Sequence, residues 1–231
     1  MDSYVRGETE SPLIEETIGE IFTRAVQRWP EREALVSRHQ DIRWSYEEFG
    51  RRVDELAAGL LALGLERGDR VGIWAPNLVE WTLTQFATAR VGLIQVNINP
   101  AYRLSELEFT LNKAGAKALI AAERFKTSDY VEMLETLLPE LATSEPGALR
   151  AERVPALRVV AKIGGAPRPG WLDFRRRCYR PSSARSARRS TACPPCSSTN
   201  SDTRTSNAMI CPRCGPASWR ARCVPSRSCG A

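Results

Sequence analysis

The sequence predicts an α/β fold in which a parallel sheet is covered by helices. Between residues 69 and 163, short apolar segments of strand length alternate with segments whose apolar residues recur every three or four positions. The short segments are apolar throughout, which is typical of strands buried on both faces of a parallel sheet. Helical connections between parallel strands imply right-handed crossovers, with helices on both faces of the sheet.

A capped helix and a hairpin are predicted before these units. Thr17 and Glu20 have the spacing of a capping box, and the apolar residues behind them share one helix face until Trp29-Pro30 ends the pattern. Residues 34–36 and 42–44 flank a polar turn, and this arrangement predicts a short hairpin.

A second helix is predicted directly after the hairpin. Ser45 and Glu48 repeat the capping signal, and Gly64 is suited to end the helix because glycine adopts the left-handed conformation easily. The inward face of this helix is predicted to carry Phe49, Val53, Leu56, Leu60 and Leu63.

The strand–helix units follow in regular order. Strands are predicted at residues 71–74, 93–96, 118–120 and 157–163. The connecting helices are predicted around Val79 to Ala87, Leu104 to Ala114 and Val131 to Leu141.

Charge and composition change abruptly after Phe174. The whole chain carries 33 basic and 27 acidic residues, a net charge of +6. Residues 1–174 hold 21 basic and 26 acidic residues, a net −5, whereas residues 175–231 hold 12 arginines and one acid, a net +11. The second stretch contains all seven cysteines and only two residues of the Leu, Ile, Val and Phe set, too few to bury a core. We therefore predict one domain at residues 1–174 and a disordered Arg/Cys/Ser-rich tail at residues 175–231.

Several kinds of site are excluded from residues 1–174. This part has no cysteine, and its single histidine, His39, lies in the predicted hairpin turn without a nucleophile beside it. Residues 163–170 are rich in glycine but lack the spacing of a phosphate-binding loop, and their prolines lack amide donors, so we interpret them as a connecting loop. With a polar start and no transmembrane segment of about 20 apolar residues, a cytoplasmic location is expected.

Four segments of the chain carry recognisable motifs. They are residues 31–36 (EREALV), 44–49 (WSYEEF) with 64–71 (GLERGDRV), 89–103 (ARVGLIQVNINPAYR), and 105–111 (SELEFTL) with 114–120 (AGAKALI). These segments resemble motifs of the AMP-forming, adenylate-producing ligases, and most closely those of the medium-chain and fatty acyl-CoA ligase branch. They follow one another in that family's order, and the resemblance covers about residues 12–174.

The resemblance implies a two-step reaction. A fatty acid is activated by ATP and Mg²⁺ as an acyl adenylate, and the thiol of coenzyme A then displaces AMP. The family's S-G-T-T-G-x-P-K-G phosphate loop, its adenine- and ribose-binding segments and its adenylating lysine have no counterpart here. The fold implied is thus an incomplete N-terminal portion of the ligase large domain. No catalytic, cofactor-binding or metal-binding residue is assigned, and the chain is expected to be inactive alone, with no cofactor bound productively.

The tail leaves three interpretations open. Cys193 with Cys196, and Cys211 with Cys214, form two C-x-x-C pairs that favour a zinc site, although the spacing between the pairs is short. The arginines favour a basic arm that binds nucleic acid. A composition without Lys, Leu or Phe is also typical of a GC-rich coding strand read out of frame, and this frameshift interpretation is the one we favour.

The functional hypothesis is therefore a fragment of a fatty acid–CoA ligase. Two alternatives remain: a zinc-knuckle protein that binds nucleic acid, and an α/β module that binds acyl groups or coenzyme A without catalysis. Fatty acid and coenzyme A are the expected partners, nucleic acid is not expected, and non-specific self-association is expected from an incomplete sheet.

Overall fold

The computed structural model describes residue 7 and residues 13–175. The predicted α/β class is confirmed: these residues form a five-stranded, wholly parallel sheet with helices packed against it. Of the tail predicted to be disordered, Arg175 is described, and residues 176–231, with all seven cysteines, lie outside the described residues. No helix in the described part is long and apolar enough to cross a membrane.

The predicted N-terminal elements are confirmed. Helix α1 spans Ile18–Arg28, strands β1 (Glu33–Ser37) and β2 (Ile42–Ser45) pair antiparallel, and helix α2 spans Tyr46–Ala62. At the start of α1, Thr17 and Glu20 form the reciprocal hydrogen bonds of a capping box. The hairpin connection contains a 3₁₀ turn, Arg38–Gln40.

Five strands form the main sheet in the order β4-β3-β5-β8-β9. They are β3 (Arg70–Trp74), β4 (Ile94–Asn97), β5 (Ala116–Ala121), β8 (Val159–Lys162) and β9 (Leu172–Asp173). Strands β6 (Arg124–Phe125) and β7 (Ser128–Asp129) form a separate two-stranded ribbon. Neither the ribbon nor β9 was predicted from the sequence.

The connecting helices are α3 (Val79–Val91), α4 (Leu104–Ala114) and α5 (Tyr130–Leu137). The chain moves from β3 to β4 in one direction and then back past β3 to β5, so right-handed crossovers place α3 on one face and α4 and α5 on the other. Consistently, α3 packs with α1 and α2, whereas α4 packs with α5.

The prediction of one helix from Val131 to Leu141 is wrong in its second half. Helix α5 ends at Leu137, and Pro139–Ala142 form a separate 3₁₀ turn. Pro139 cannot donate to the helical hydrogen-bond ladder, and it disfavours the helical conformation of the residue before it. Leu138 and Leu141 are nonetheless buried, so the apolar spacing was correct although the helix stops.

Candidate functional site

The carboxyl ends of the parallel strands mark the candidate site. In open α/β sheets, ligands bind outside these ends at the point where the strand order reverses. Here the reversal lies at β3, which has β4 on one side and β5 on the other. The edge is therefore built by the residues that follow β3, β5 and β8.

Trp74, the last residue of β3, forms the floor of this edge with Tyr130. Their rings are stacked, with centroids 3.6 Å apart and planes 12° apart. Trp74 Nε1 donates to the carbonyl oxygen of Asn99 at 3.1 Å, and the Tyr130 hydroxyl donates to the carbonyl oxygen of Pro100. Burial raises the pKa of Tyr130 to about 12, so its phenol is a donor and not a base at neutral pH.

Lys162, at the end of β8, is the buried cation of the edge. Its side chain is 4% exposed. Its Nζ donates to Glu123 Oε1 at 3.1 Å and to the carbonyl oxygen of Ala166 at 2.8 Å. The ammonium group thus ties the residue that follows β5 to the glycine-rich loop that follows β8.

The glycine-rich loop folds closely over this ion pair. Gly165 has a φ of +68°, and a Cβ atom placed there would lie 1.6 Å from Glu123 Oε1. Glycine is needed at this position both for its conformation and for the close approach of the carboxylate. The loop contributes a carbonyl oxygen to a lysine, which supports its interpretation as a connection.

Two features of the described residues bear on the binding of ATP and Mg²⁺. No group of three or more His, Cys, Asp or Glu side chains in residues 13–175 could hold a metal ion. The carboxylate of Glu123 is paired with Lys162, and Pro167 and Pro169 in the loop have no amide hydrogen to donate to phosphate. Among the described residues, the edge thus presents the Lys162–Glu123 ion pair and a loop that contains prolines, and we assign no cofactor-binding residue to it.

The sequence assigned no site residue, so there is none to place at this edge. His39 lies in the hairpin turn, where its Nδ1 is 3.3 Å from Ser37 Oγ. Sequence reasoning missed Trp74, Tyr130 and Lys162. Only Lys162 gave a local signal, since it is a charged residue that ends an otherwise apolar strand.

The comparison with protein families places this chain in one of them. The model of the AMP-binding enzyme family matches residues 22–188, and the chain belongs to that family. The match continues past Phe174.

One curated relative indicates which branch of the family this chain is similar to. The mitochondrial medium-chain acyl-CoA ligase ACSF2 of Mus musculus is 46% identical over 170 residues, which are 74% of this chain and 28% of the relative. This chain thus corresponds to little more than a quarter of that relative's length. The predicted resemblance to medium-chain acyl-CoA ligases is confirmed.

Solved structures confirm the fold. The anthranilate CoA ligase AuaEII, in complex with anthranoyl-AMP, has a TM-score of 0.59 and 21% identity, with 71% of this chain and 28% of that chain covered. The long-chain-fatty-acid-CoA ligase FadD1 of Archaeoglobus fulgidus has a TM-score of 0.54 and 22% identity, with 71% and 30% covered.

Proposed function

We propose that this chain carries the first part of the scaffold of an ATP-dependent fatty acid–CoA ligase, and that the 231-residue chain does not activate fatty acids by itself. The comparison with a relative supports the scaffold role, and a missing motif supports the inactivity. A medium-chain acyl-CoA ligase is 46% identical over 170 residues, and the family model matches residues 22–188, which include every strand of the main sheet. The sequence contains no S-G-T-T-G-x-P-K-G loop.

The intact enzyme would join a medium-chain fatty acid to coenzyme A. The acid carboxylate would attack the α-phosphate of ATP to form an acyl adenylate and pyrophosphate, and the thiol of coenzyme A would then displace AMP. Such a reaction needs donors and cations that offset the charge on the phosphates. The glycine-rich residues 163–170 lack the spacing of a phosphate-binding loop, which supports the proposed inactivity of this chain.

Two contacts among the described residues hold together the elements beneath such a site. The Trp74–Tyr130 stack fixes the ends of β3 and α5 against each other, and the Lys162–Glu123 pair fixes the ends of β8 and β5. A catalytic arrangement must be held to within about 0.5 Å, so rigid elements beneath it are a functional contribution.

Pyrophosphate–ATP exchange tests the proposed inactivity. The purified full chain, with ATP, Mg²⁺ and medium-chain acids, is expected to show no acid-dependent exchange above a heat-killed sample. Mouse ACSF2 under the same conditions is the positive control. Acid-dependent exchange by this chain would refute the proposal of inactivity.

A chimaera tests the proposed scaffold role separately. The corresponding segment of mouse ACSF2 would be replaced by residues 22–174 of this chain. We expect the chimaera to retain acid-dependent exchange, because the replaced segment supplies support and not reacting groups. A folded chimaera without exchange would contradict the scaffold proposal and leave the proposed inactivity untouched.

We also propose the domain division at Phe174 and a cytoplasmic location. The change of composition at Phe174 supports the division. Limited proteolysis is expected to leave a resistant product ending near residue 175, and cell fractionation is expected to recover the chain in the cytosolic fraction.

Reading the nucleotide sequence near codon 174 in all three frames tests the frameshift hypothesis, since a downstream phosphate loop in another frame is expected.

A further inference from the structure

A cleft of about 340 Å³ lies between the hairpin, α2, α3 and the residues after β9. Its walls are mainly apolar. The apolar side chains that line it are Ile42, Trp44, Val79, Leu83 and Phe174. The one carboxylate in its lining belongs to Glu80, on the first turn of α3.

Glu80 is held from two sides. Gln40 Nε2 donates to its Oε2 at 2.9 Å. Arg175 donates to its Oε1 from Nη2 at 2.8 Å and from Nε at 3.3 Å. Burial alone would raise the pKa of Glu80, but the hydrogen bonds from Arg175 and Gln40 outweigh it and lower the pKa below its usual value. The cleft therefore contains an ionised carboxylate at neutral pH.

The second cation of the cleft, Arg52, contacts Trp44 and Glu48. Its guanidinium carbon lies 4.3 Å from the centroid of the Trp44 ring. It also pairs with Glu48 at 2.5 Å, so its charge is compensated on α2. Of the two arginines that line the cleft, Arg175 donates hydrogen bonds to the carboxylate of Glu80.

The two partners of the Glu80–Arg175 pair are buried unequally. The side chain of Glu80 is 6% exposed, whereas that of Arg175 is 58% exposed. The guanidinium of Arg175 reaches the Glu80 carboxylate, while more than half of the Arg175 side chain is exposed. A buried carboxylate that binds an exposed cationic side chain resembles a binding site that holds the charged end of a separate ligand.

The residues that line the cleft are better suited to an organic cation than to a metal ion. Mg²⁺ and Ca²⁺ need several oxygen ligands and lose water reluctantly. The amide oxygen of Gln40 is already used, because it accepts hydrogen bonds from the Val79 amide and the Ser37 hydroxyl. A guanidinium group is weakly hydrated, presents several donors and packs well against apolar walls.

We propose that this cleft is a recognition site for alkylguanidinium groups, with Glu80 as its anionic anchor, and that Arg175 is a ligand for the site supplied by the chain itself. The same group on a separate small molecule then binds when Arg175 is removed. This proposal does not depend on the proposed function.

Chemical rescue of Arg175→Ala in the full chain tests the proposal. The probe is n-butylguanidinium at millimolar concentration, and the matched neutral probe is n-butylurea. At roughly tenfold excess over its Kd, n-butylguanidinium is expected to raise the thermal midpoint of the variant by about 3–6 °C. Butylurea is expected to leave the midpoint unchanged, and unaltered protein should respond less because Arg175 competes for Glu80.

A second variant distinguishes the anchor from general effects of the probe. In Arg175→Ala with Glu80→Gln, the response to n-butylguanidinium is expected to disappear, and calorimetric titration should show loss of binding. Equal responses to both probes, or an undiminished response after Glu80→Gln, would overturn the proposal. If Arg175→Ala does not fold, Arg175→Gln keeps a stem and a neutral polar head, and the same outcomes apply to it.

Discussion

Asp69 and Lys117 form an ion pair that joins two neighbouring strands at the amino edge of the sheet. Lys117 Nζ lies 2.7 Å from Asp69 Oδ1, and the Glu66 amide donates to Asp69 Oδ2 at 2.9 Å. Asp69 directly precedes β3, and Lys117 is the second residue of β5. The carboxylate thus closes the turn before β3 while binding the strand beside it.

Asp69→Asn is expected to destabilise the protein in a pH-dependent way. Burial alone would raise the pKa of Asp69, but the bonds from Lys117 and the Glu66 amide outweigh it and lower the pKa below its usual 3.8. A lowered pKa means that the stabilisation is present above about pH 4 and is lost as pH falls through the folded-state value. We expect a loss of about 1–3 kcal/mol at pH 7, measured by urea unfolding.

The exposed pair of Asp54 with Arg90 provides the control. Asp54→Asn makes the same chemical change where the carboxylate is more than half exposed, so its effect is expected to stay below about 1 kcal/mol. An equal loss for both variants at pH 7, or a loss for Asp69→Asn that persists at pH 2, would show that the buried ion pair is not the cause.

Gly165→Ala is expected to cost more stability than Gly164→Ala. Both glycines have positive φ, so each substitution carries a conformational cost of about 1 kcal/mol. A Cβ on Gly164 meets nothing within 4 Å, whereas a Cβ on Gly165 would displace the Glu123 carboxylate from Lys162. We expect a total loss of about 2–4 kcal/mol for Gly165→Ala, measured by urea unfolding. Equal losses for the two variants would contradict this account of the loop.

Tyr130→Phe is expected to remove a phenol whose pKa is raised to about 12. Between pH 10 and about 12, the unfolded chain releases the Tyr130 proton while the folded protein retains it, so the stability contributed by this group falls as pH rises. Absorbance titration near 295 nm should show a component at about pH 12 that Tyr130→Phe lacks. At neutral pH, loss of the hydrogen bond to Pro100 should cost about 1 kcal/mol. A variant that keeps the late component would refute the assignment to Tyr130.

Self-association is expected to increase with salt and to involve the β4 edge. Among the described strands β4 lies at one end of the sheet order, and its Ile94 is half exposed. Salt weakens the repulsion between chains that carry a net charge of +6. Light scattering should rise between low and physiological salt, and Ile94→Lys should suppress the rise. Leu61→Lys adds the same charge on the exposed face of α2, and it should not suppress the rise in light scattering. Equal suppression by both changes would show that charge and not the strand edge controls association.

Local signals predicted most of the fold but little of the site. Capping residues and apolar spacing were sufficient for α1, α2 and the four longer strands of the sheet. Strand β9 has two residues, and its place depends on pairing with β8, which no local pattern records. Trp74 and Tyr130 are far apart in sequence, and their stacking depends on where α5 packs. Residues 80 and 175 likewise meet only through the tertiary fold.

The strand order β4-β3-β5-β8-β9 also has a consequence for synthesis on the ribosome. Strand β4 emerges after β3 and adds beside it, β5 adds to the other side of β3, and β8 and β9 then extend that side in turn. No strand has to insert between two that are already paired. Each nascent chain that ends after a strand of this sheet can therefore hold a continuous sheet, and we expect its folding to keep pace with translation.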